Sequence, residues 1–160
     1  MNKKNSQGRR EFLGRAVAAA PAVAVVAGTA AASTDPSTGT QRRAISAPNR
    51  PFSSSVSFGG AVYVSGSIGV DPGTRTLPAA FEAECRNVFE SMKSKLEAAG
   101  SSLDRVLKCT CFLTDTGDFK TMNALFGEYF PKQPPARSTV VVKALVVEGA
   151  RVEIDCIAAS

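Results

Sequence analysis

The 160-residue chain has no histidine. That removes a Ser-His-Asp type of triad, a histidine general base and the commonest metal ligand together. Any chemistry must come from carboxylates, arginine, hydroxyls, backbone groups or water, with neither a metal nor a cofactor in the expectation. Cysteine is scarce as well, four in all, and the placement argues against cross-links. Cys109 and Cys111 stand two apart in a strand-like run, so their side chains leave one face in parallel and cannot bond each other without distortion. Cys85 falls on the apolar face of a helical pattern and Cys156 within another strand-like run. Buried free thiols are expected for all four, even in an oxidising compartment. A domain of about 130 residues can bury a sizeable core without such staples.

A charge surplus is missing from most of the chain. The formal net charge is +5, but residues 1–32 hold Lys3, Lys4, Arg9, Arg10 and Arg15 against Glu11 alone. The other 128 residues carry 14 basic and 13 acidic side chains. The excess belongs to the leader, so nothing in the domain signals nucleic acid. Also absent is a long apolar run. The stretch "RAVAAAPAVAVVAGTAAAS" is Ala/Val-rich but broken by Pro21, and a span needs roughly 20 strongly apolar residues. With the charged "GRREFLG" before it, this stretch reads as an export signal over residues 1–32, cleaved near Ala32. Arg9-Arg10, followed after Glu11 by Phe12 and Leu13, resembles a twin-arginine signal, which places the mature protein in the periplasm. No cysteine near Ala32 offers a lipid attachment point.

What is present is punctuated clearly. Residues 33–50, "STDPSTGTQRRAISAPNR", are polar and aperiodic and read as a linker, leaving 51–160 as the domain. "FSSSVSF-GG-AVYVSGSI" gives two short runs around Gly59-Gly60, a hairpin signal. "GVDPGTRTLP" is a loop turning at Asp71-Pro72-Gly73. From Ala79 to Ala99 the period changes: Phe81, Cys85, Val88, Met92, Leu96 and Ala99 form one helical face, stopped by Gly100. "VLKCTCFLT" (106–114) is a strand. Phe119, Met122, Phe126 and Tyr129 form a second helical stripe, with Asp118 or Thr116 as its cap. Strands near 138–145 and 151–158 close the chain. The order β-β-α-β-α-β-β predicts an α+β fold, one sheet with both helices on a single face. Its uncovered side is expected to be apolar and to drive self-association.

Several residues stand out on these elements. In "PPARSTVVV" (134–142), Arg137 sits at the mouth of a β-branched strand, where the ordinary role is a solvated end charge. In "RVEIDCIAA", Val152, Ile154 and Cys156 share one face while Glu153 and Asp155 point the other way. "SG" at 65–66 ends the second strand of the hairpin, and Asn123 lies on the second helix.

Together, "P-A-R-S", then "V-E-I-D-x-I-A" about fifteen residues on, preceded by "AG…V-x-K-x-T-x-F…F…N…Y-F", resemble the RidA/YjgF family of reactive-intermediate (imine) deaminases. The resemblance runs from about Pro51 to Ala158. It implies a chorismate-mutase-like fold, a homotrimer with sites between subunits, and hydrolysis of 2-imino acids, formed from enamines such as 2-aminoacrylate, to 2-keto acids and ammonia. It assigns catalysis to Arg137 and Glu153, and substrate contacts to Arg137, Phe52, Ser65, Gly66, Asn123 and Thr139. These residue types suit the chemistry. A guanidinium offers a planar fork for the substrate carboxylate, and a carboxylate can activate water for attack on C2.

The chain departs from the family pattern in places. Where many members read G-P-Y it has "RPF", so Phe52 lacks a hydroxyl. "SGQ" is "SGS", with Ser67, and the "LP" after the arginine strand is Leu145-Val146. An export leader is also unusual. These departures bear on substrate and rate rather than on fold. Two other roles suit the same scaffold: a non-catalytic binder of small carboxylates, which needs Arg137 but not Glu153, and a chaperone-like interaction protein that uses exposed apolar surface.

Overall fold

The computed structural model describes residues 41–46 and 49–160. The export signal expected in residues 1–32 and the linker up to residue 40 lie outside the described residues. In chain order the elements are β1 (Arg43–Ile45), β2 (Ser55–Phe58), β3 (Ala61–Ile68), α1 (Phe81–Ala98), β4 (Val106–Leu113), α2 (Phe119–Tyr129), β5 (Ala136–Val141) and β6 (Val152–Ala159). They form one six-stranded sheet in the order β1-β2-β3-β6-β4-β5. All neighbours are antiparallel except β4 and β5. α2 is the crossover between that parallel pair, and α1 links β3 to β4 across the intervening β6. Two βα crossovers of this kind put both helices over the same face.

β1 was not anticipated. Arg43–Ile45 falls in the stretch read as linker, yet it pairs with Ser55–Ser57. Three residues are too few to show an alternation, so the pattern rule had nothing to detect. The hairpin of β2 and β3 turns at Gly59 and Gly60, whose φ angles of +62° and +78° suit a two-residue loop that side chains would strain.

α1 buries Phe81, Glu84, Cys85, Val88, Phe89, Met92 and Leu96. The stripe is the expected one with two additions, Glu84 and Phe89. Each fully buried apolar side chain contributes about 1.5–3 kcal/mol, so this face anchors the helix. The helix closes at Ala99 with Gly100 N–H on Glu97 O (3.0 Å) and Ser101 N–H on Leu96 O (2.9 Å), a Schellman pair. Phe89 joins the helices. Its ring stacks on Tyr129 at 4.5 Å and meets Phe126 edge-on at 6.1 Å.

The second stripe differs from expectation. α2 buries Met122, Leu125 and Phe126, whereas Phe119 remains 45% exposed. Neither Asp118 nor Thr116 caps by its side chain. Instead Asp115 accepts from Gly117 N–H at 2.7 Å, closing a 3-10 turn at Thr116–Asp118 that leads into the helix.

The alternation on the sheet holds. Val62, Val64, Cys109, Cys111, Leu113, Val152, Ile154, Cys156 and Ala158 face the helices and are buried. All four cysteines are free and buried. The other face, expected to be apolar, is mixed: Lys108, Thr110, Glu153 and Asp155 lie there among Tyr63, Phe112 and Ile157. Charged residues two apart on β6 forced that mixture.

β5 runs from Ala136 to Val141, starting two residues earlier and ending four residues earlier than its β-branched sequence suggests. It is an edge strand paired only with β4, so it loses its partner where β4 ends at Leu113. Arg137 therefore lies inside the ladder opposite Cys109, not at the strand's mouth.

Candidate active site

Arg137 is held by its surroundings rather than left to solvent. Its NH2 group donates to Asn123 Oδ1 at 2.7 Å. The guanidinium also lies over the rings of Phe126 at 4.5 Å and Phe119 at 5.8 Å. Cation–π contact and a single amide fix its plane while leaving the other N–H donors of the fork unused by these contacts. The ion pairs among the described residues are Arg86 with Glu82 and Glu128, and Arg151 with Glu84. Arg137 is in none of them. A half-buried guanidinium without a carboxylate partner is set up to receive an anion from outside the protomer.

Thr139 stands two residues further on the same face of β5, opposite Cys111. Its hydroxyl oxygen is shielded from solvent and has no hydrogen-bond partner among the described residues. A buried polar atom of this kind calls for a partner. Burial pushes the Cys111 thiol up to about 11, against the pull of the Arg137 guanidinium.

Glu153 is placed elsewhere. It pairs in register with Phe112 and Ile68, on the face away from the helices, whereas Arg137 pairs with Cys109 on the helix face. One protomer does not bring the two together. What Glu153 does meet is Gly66: a Cβ there would overlap the Glu153 carboxylate oxygen. Only glycine lets the carboxylate lie against this strand. The register of β3 on β6 shifts between Val64 and Ser67, so Ser65 and Gly66 form a bulge.

Ser65 donates its hydroxyl to Ser53 O at 2.6 Å, tying the segment before β2 to the bulge. That segment carries Phe52, 52% exposed, with the Arg50 guanidinium 5.7 Å from its ring centre. The seven expected site residues thus divide into two groups. Arg137, Asn123 and Thr139 lie on β5 and α2; Glu153, Gly66, Ser65 and Phe52 gather about the β3 bulge.

Sequence reading missed two charged residues of α1. Glu84 is fully buried; it accepts from Arg151 N–H and Nε at 2.7 Å each, while Arg151 NH2 reaches the carbonyls of Pro78 and Ala79 at 3.1 Å. Lys95 donates to the carbonyls of Ser65 and Gly66. Each borders the apolar stripe, next to Cys85 and Leu96, and that flank position was the only available signal. A cavity of about 560 Å³ lies between the C-terminal parts of α1 and α2, lined by Lys93, Leu103, Tyr129, Phe130 and Lys132. None of the seven expected site residues lines it. Among the described residues no cluster of three potential metal ligands occurs.

Comparison with known proteins gives the lineage. A family profile described as Endoribonuclease L-PSP matches residues 42–160. Protein DfrA of Myxococcus xanthus is 42% identical over 113 residues, 69% of this chain and 86% of that protein. The chloroplastic Reactive Intermediate Deaminase A of Arabidopsis thaliana is 38% identical over 109 residues, 68% of this chain and 58% of that longer protein. Among solved structures, RidA from the Antarctic bacterium Psychrobacter superposes with a TM-score of 0.66 at 38% identity, covering 76% of this chain and 98% of that one. The YjgF product of E. coli gives 0.66 at 34%, covering 72% and 92%. The profile begins at Arg42, one residue before β1, which makes the unexpected first strand part of the shared domain. With its six-stranded sheet, two helices and these matches over most of its length, the chain belongs to the RidA/YjgF family, the Endoribonuclease L-PSP proteins.

Proposed function

We propose that this protein hydrolyses 2-imino acids to 2-keto acids and ammonia, as a homotrimer whose sites combine the Arg137 group of one copy with the Glu153 group of the next. The observation that carries this reading is the placement of Arg137: half-buried, clamped by Asn123 and two rings, without a carboxylate partner, and on the opposite sheet face from Glu153. If both residues serve one substrate, two chains must meet. The edge strand β5 with its exposed Val140 and Val141 offers a surface for that contact.

The chemistry needs little machinery. The substrate carboxylate takes the guanidinium fork. Water adds to C2 while Glu153 accepts its proton, giving a tetrahedral carbinolamine. Glu153 returns that proton to the nitrogen, the hydroxyl proton follows it to the amino group, the C–N bond breaks to release ammonia, and the hydroxyl oxygen becomes the keto oxygen. An imine is already electrophilic, so orientation and proton transfer account for the rate. Phe52 brings a ring without a hydroxyl to the bulge group, a change that bears on substrate range and rate.

An amino-acid oxidase generating imines in place, coupled to keto-acid detection, tests this directly. Accelerated keto-acid formation supports the deaminase. Keto-acid binding without acceleration assigns the protein to the carboxylate-binder role instead. We place the mature protein in the periplasm on the strength of Arg9-Arg10. Replacing both by lysine is expected to stop export, and unchanged periplasmic yield would reject that assignment.

A further inference from the structure

Lys95 is a half-buried cation in none of the described ion pairs. Its Nζ donates to Ser65 O (3.2 Å), Gly66 O (2.9 Å) and Ser67 Oγ (2.8 Å). Three donors meet three acceptors, so the ammonium is fully used. The location explains the need. β2 pairs with β3 only as far as Ser55 opposite Val64, and Ser54 O takes one more N–H, from Ser65. Beyond that no β2 residue pairs with the bulge, and on the β6 side the register skips Ser65 and Gly66, so Lys95 reaches from α1 to hold their carbonyls. Ser67, whose hydroxyl it also holds, is 1% exposed.

We propose that Lys95 is a positioning residue for the Glu153 carboxylate, acting through the Ser65–Gly66 bulge. The chain of contacts is short: the ammonium fixes the two carbonyls, the carbonyls fix Gly66, and Glu153 packs against Gly66 where any Cβ would overlap it. The charge has a cost. Burial lowers the Lys95 pKa, and Arg50, on the segment before β2, lowers it further; Cys156 and Glu153, both on β6, act in the opposite direction. An apolar residue at this flank of the helix would avoid that cost and leave the carbonyls unbound, so the ammonium is kept for the bulge.

The inference rests on the deaminase reading for its kinetic consequence but not for its structural one, and two measurements separate them. The first compares Lys95→Met and Lys95→Gln with the unmutated full chain in the oxidase-coupled assay. With Lys95→Met, kcat is expected to fall about tenfold while KM, set by Arg137, stays within about twofold. Lys95→Gln, which keeps two donors, should lie between. Adding Ser67→Gln to Lys95→Met puts an amide near the vacated ammonium position and should recover part of the loss. The second follows NMR resonances. In Lys95→Met the Gly66 amide and the Glu153 carboxylate carbon are expected to move while the Asn123 side-chain amide stays. If the unmutated protein proves inactive on imines, the deaminase reading fails and the resonances alone decide the role of Lys95. A folded Lys95→Met protein with unchanged kcat, or an unmoved Glu153 resonance whatever the activity, would overturn the proposal.

Discussion

Arg137 and Glu153 answer to different physics and are expected to fail differently. On the proposed deaminase reading Arg137→Ala removes the charge-assisted contact to the substrate carboxylate, so ligand affinity should drop on the order of ten- to a hundredfold together with turnover. Arg137→Lys should recover only part, because an ammonium lacks the planar fork that Asn123 and Phe126 align. Glu153→Gln keeps the size of the side chain and removes the proposed base. It should bind 2-keto acids almost normally in calorimetry while hydrolysing imines at least tenfold more slowly. Gly66→Ala is the sharpest single-atom test of how Glu153 is seated. The added Cβ displaces the carboxylate, so kcat should fall in a protein that still folds; full activity would show that the contact is incidental. The candidate residues stood out in the sequence because their motif is specific. The face of Glu153 was implicit as well, since alternation in "RVEIDCIAA" already turned it away from the core. What alternation could not give was the face of Arg137, because that depended on the register of β5 against β4.

At the level of elements, sequence patterning located α1 and the central strands well because their burial is one-sided and regular. It erred where periodicity is weak. β1 is too short to alternate, β5 stops where its neighbour stops, and α2 packs Met122, Phe126 and Tyr129 of its stripe but leaves Phe119 exposed and buries Leu125 instead. Buried charge on α1 was missed for a related reason: Glu84 is satisfied by Arg151, 67 residues away in sequence. That pair staples the loop before α1 to the start of β6. Arg151→Met would strand a fully buried carboxylate and is expected to cost about 3–5 kcal/mol, lowering the melting temperature by roughly 10 °C or more. Replacing both partners by methionine should cost much less. The thiols supply a pH test. Burial raises the Cys85 and Cys156 pKa to about 12 and that of Cys111 to about 11, and it raises Cys109 as well. Because the folded values exceed the unfolded ones, this stabilising difference is complete below about pH 8.5 and is lost as pH rises toward the folded values. Stability should therefore decline between about pH 9 and 12, and a thiol reagent at pH 8 should label none of the four cysteines until denaturant is added.

For the molecule as a whole, the account depends on chains meeting so that two incomplete groups of residues become one site. The open sheet face is mixed rather than purely apolar, so an assembly built on it would use Lys108, Asp155 and their neighbours as well as Tyr63 and Ile157. Light scattering at micromolar concentration should give a trimer, and a monodisperse monomer would exclude a shared site. The most direct measurement uses two inactive variants together. Arg137→Ala and Glu153→Gln, each nearly inactive alone, are co-expressed so that trimers form with mixed subunits. If each site takes Arg137 from one copy and Glu153 from its neighbour, random mixing at equal amounts restores both residues in about a quarter of the sites. Imine hydrolysis should then return to about a quarter of the unmutated rate. Activity that stays at the level of the separate variants, in mixed trimers verified by mass, would contradict the account.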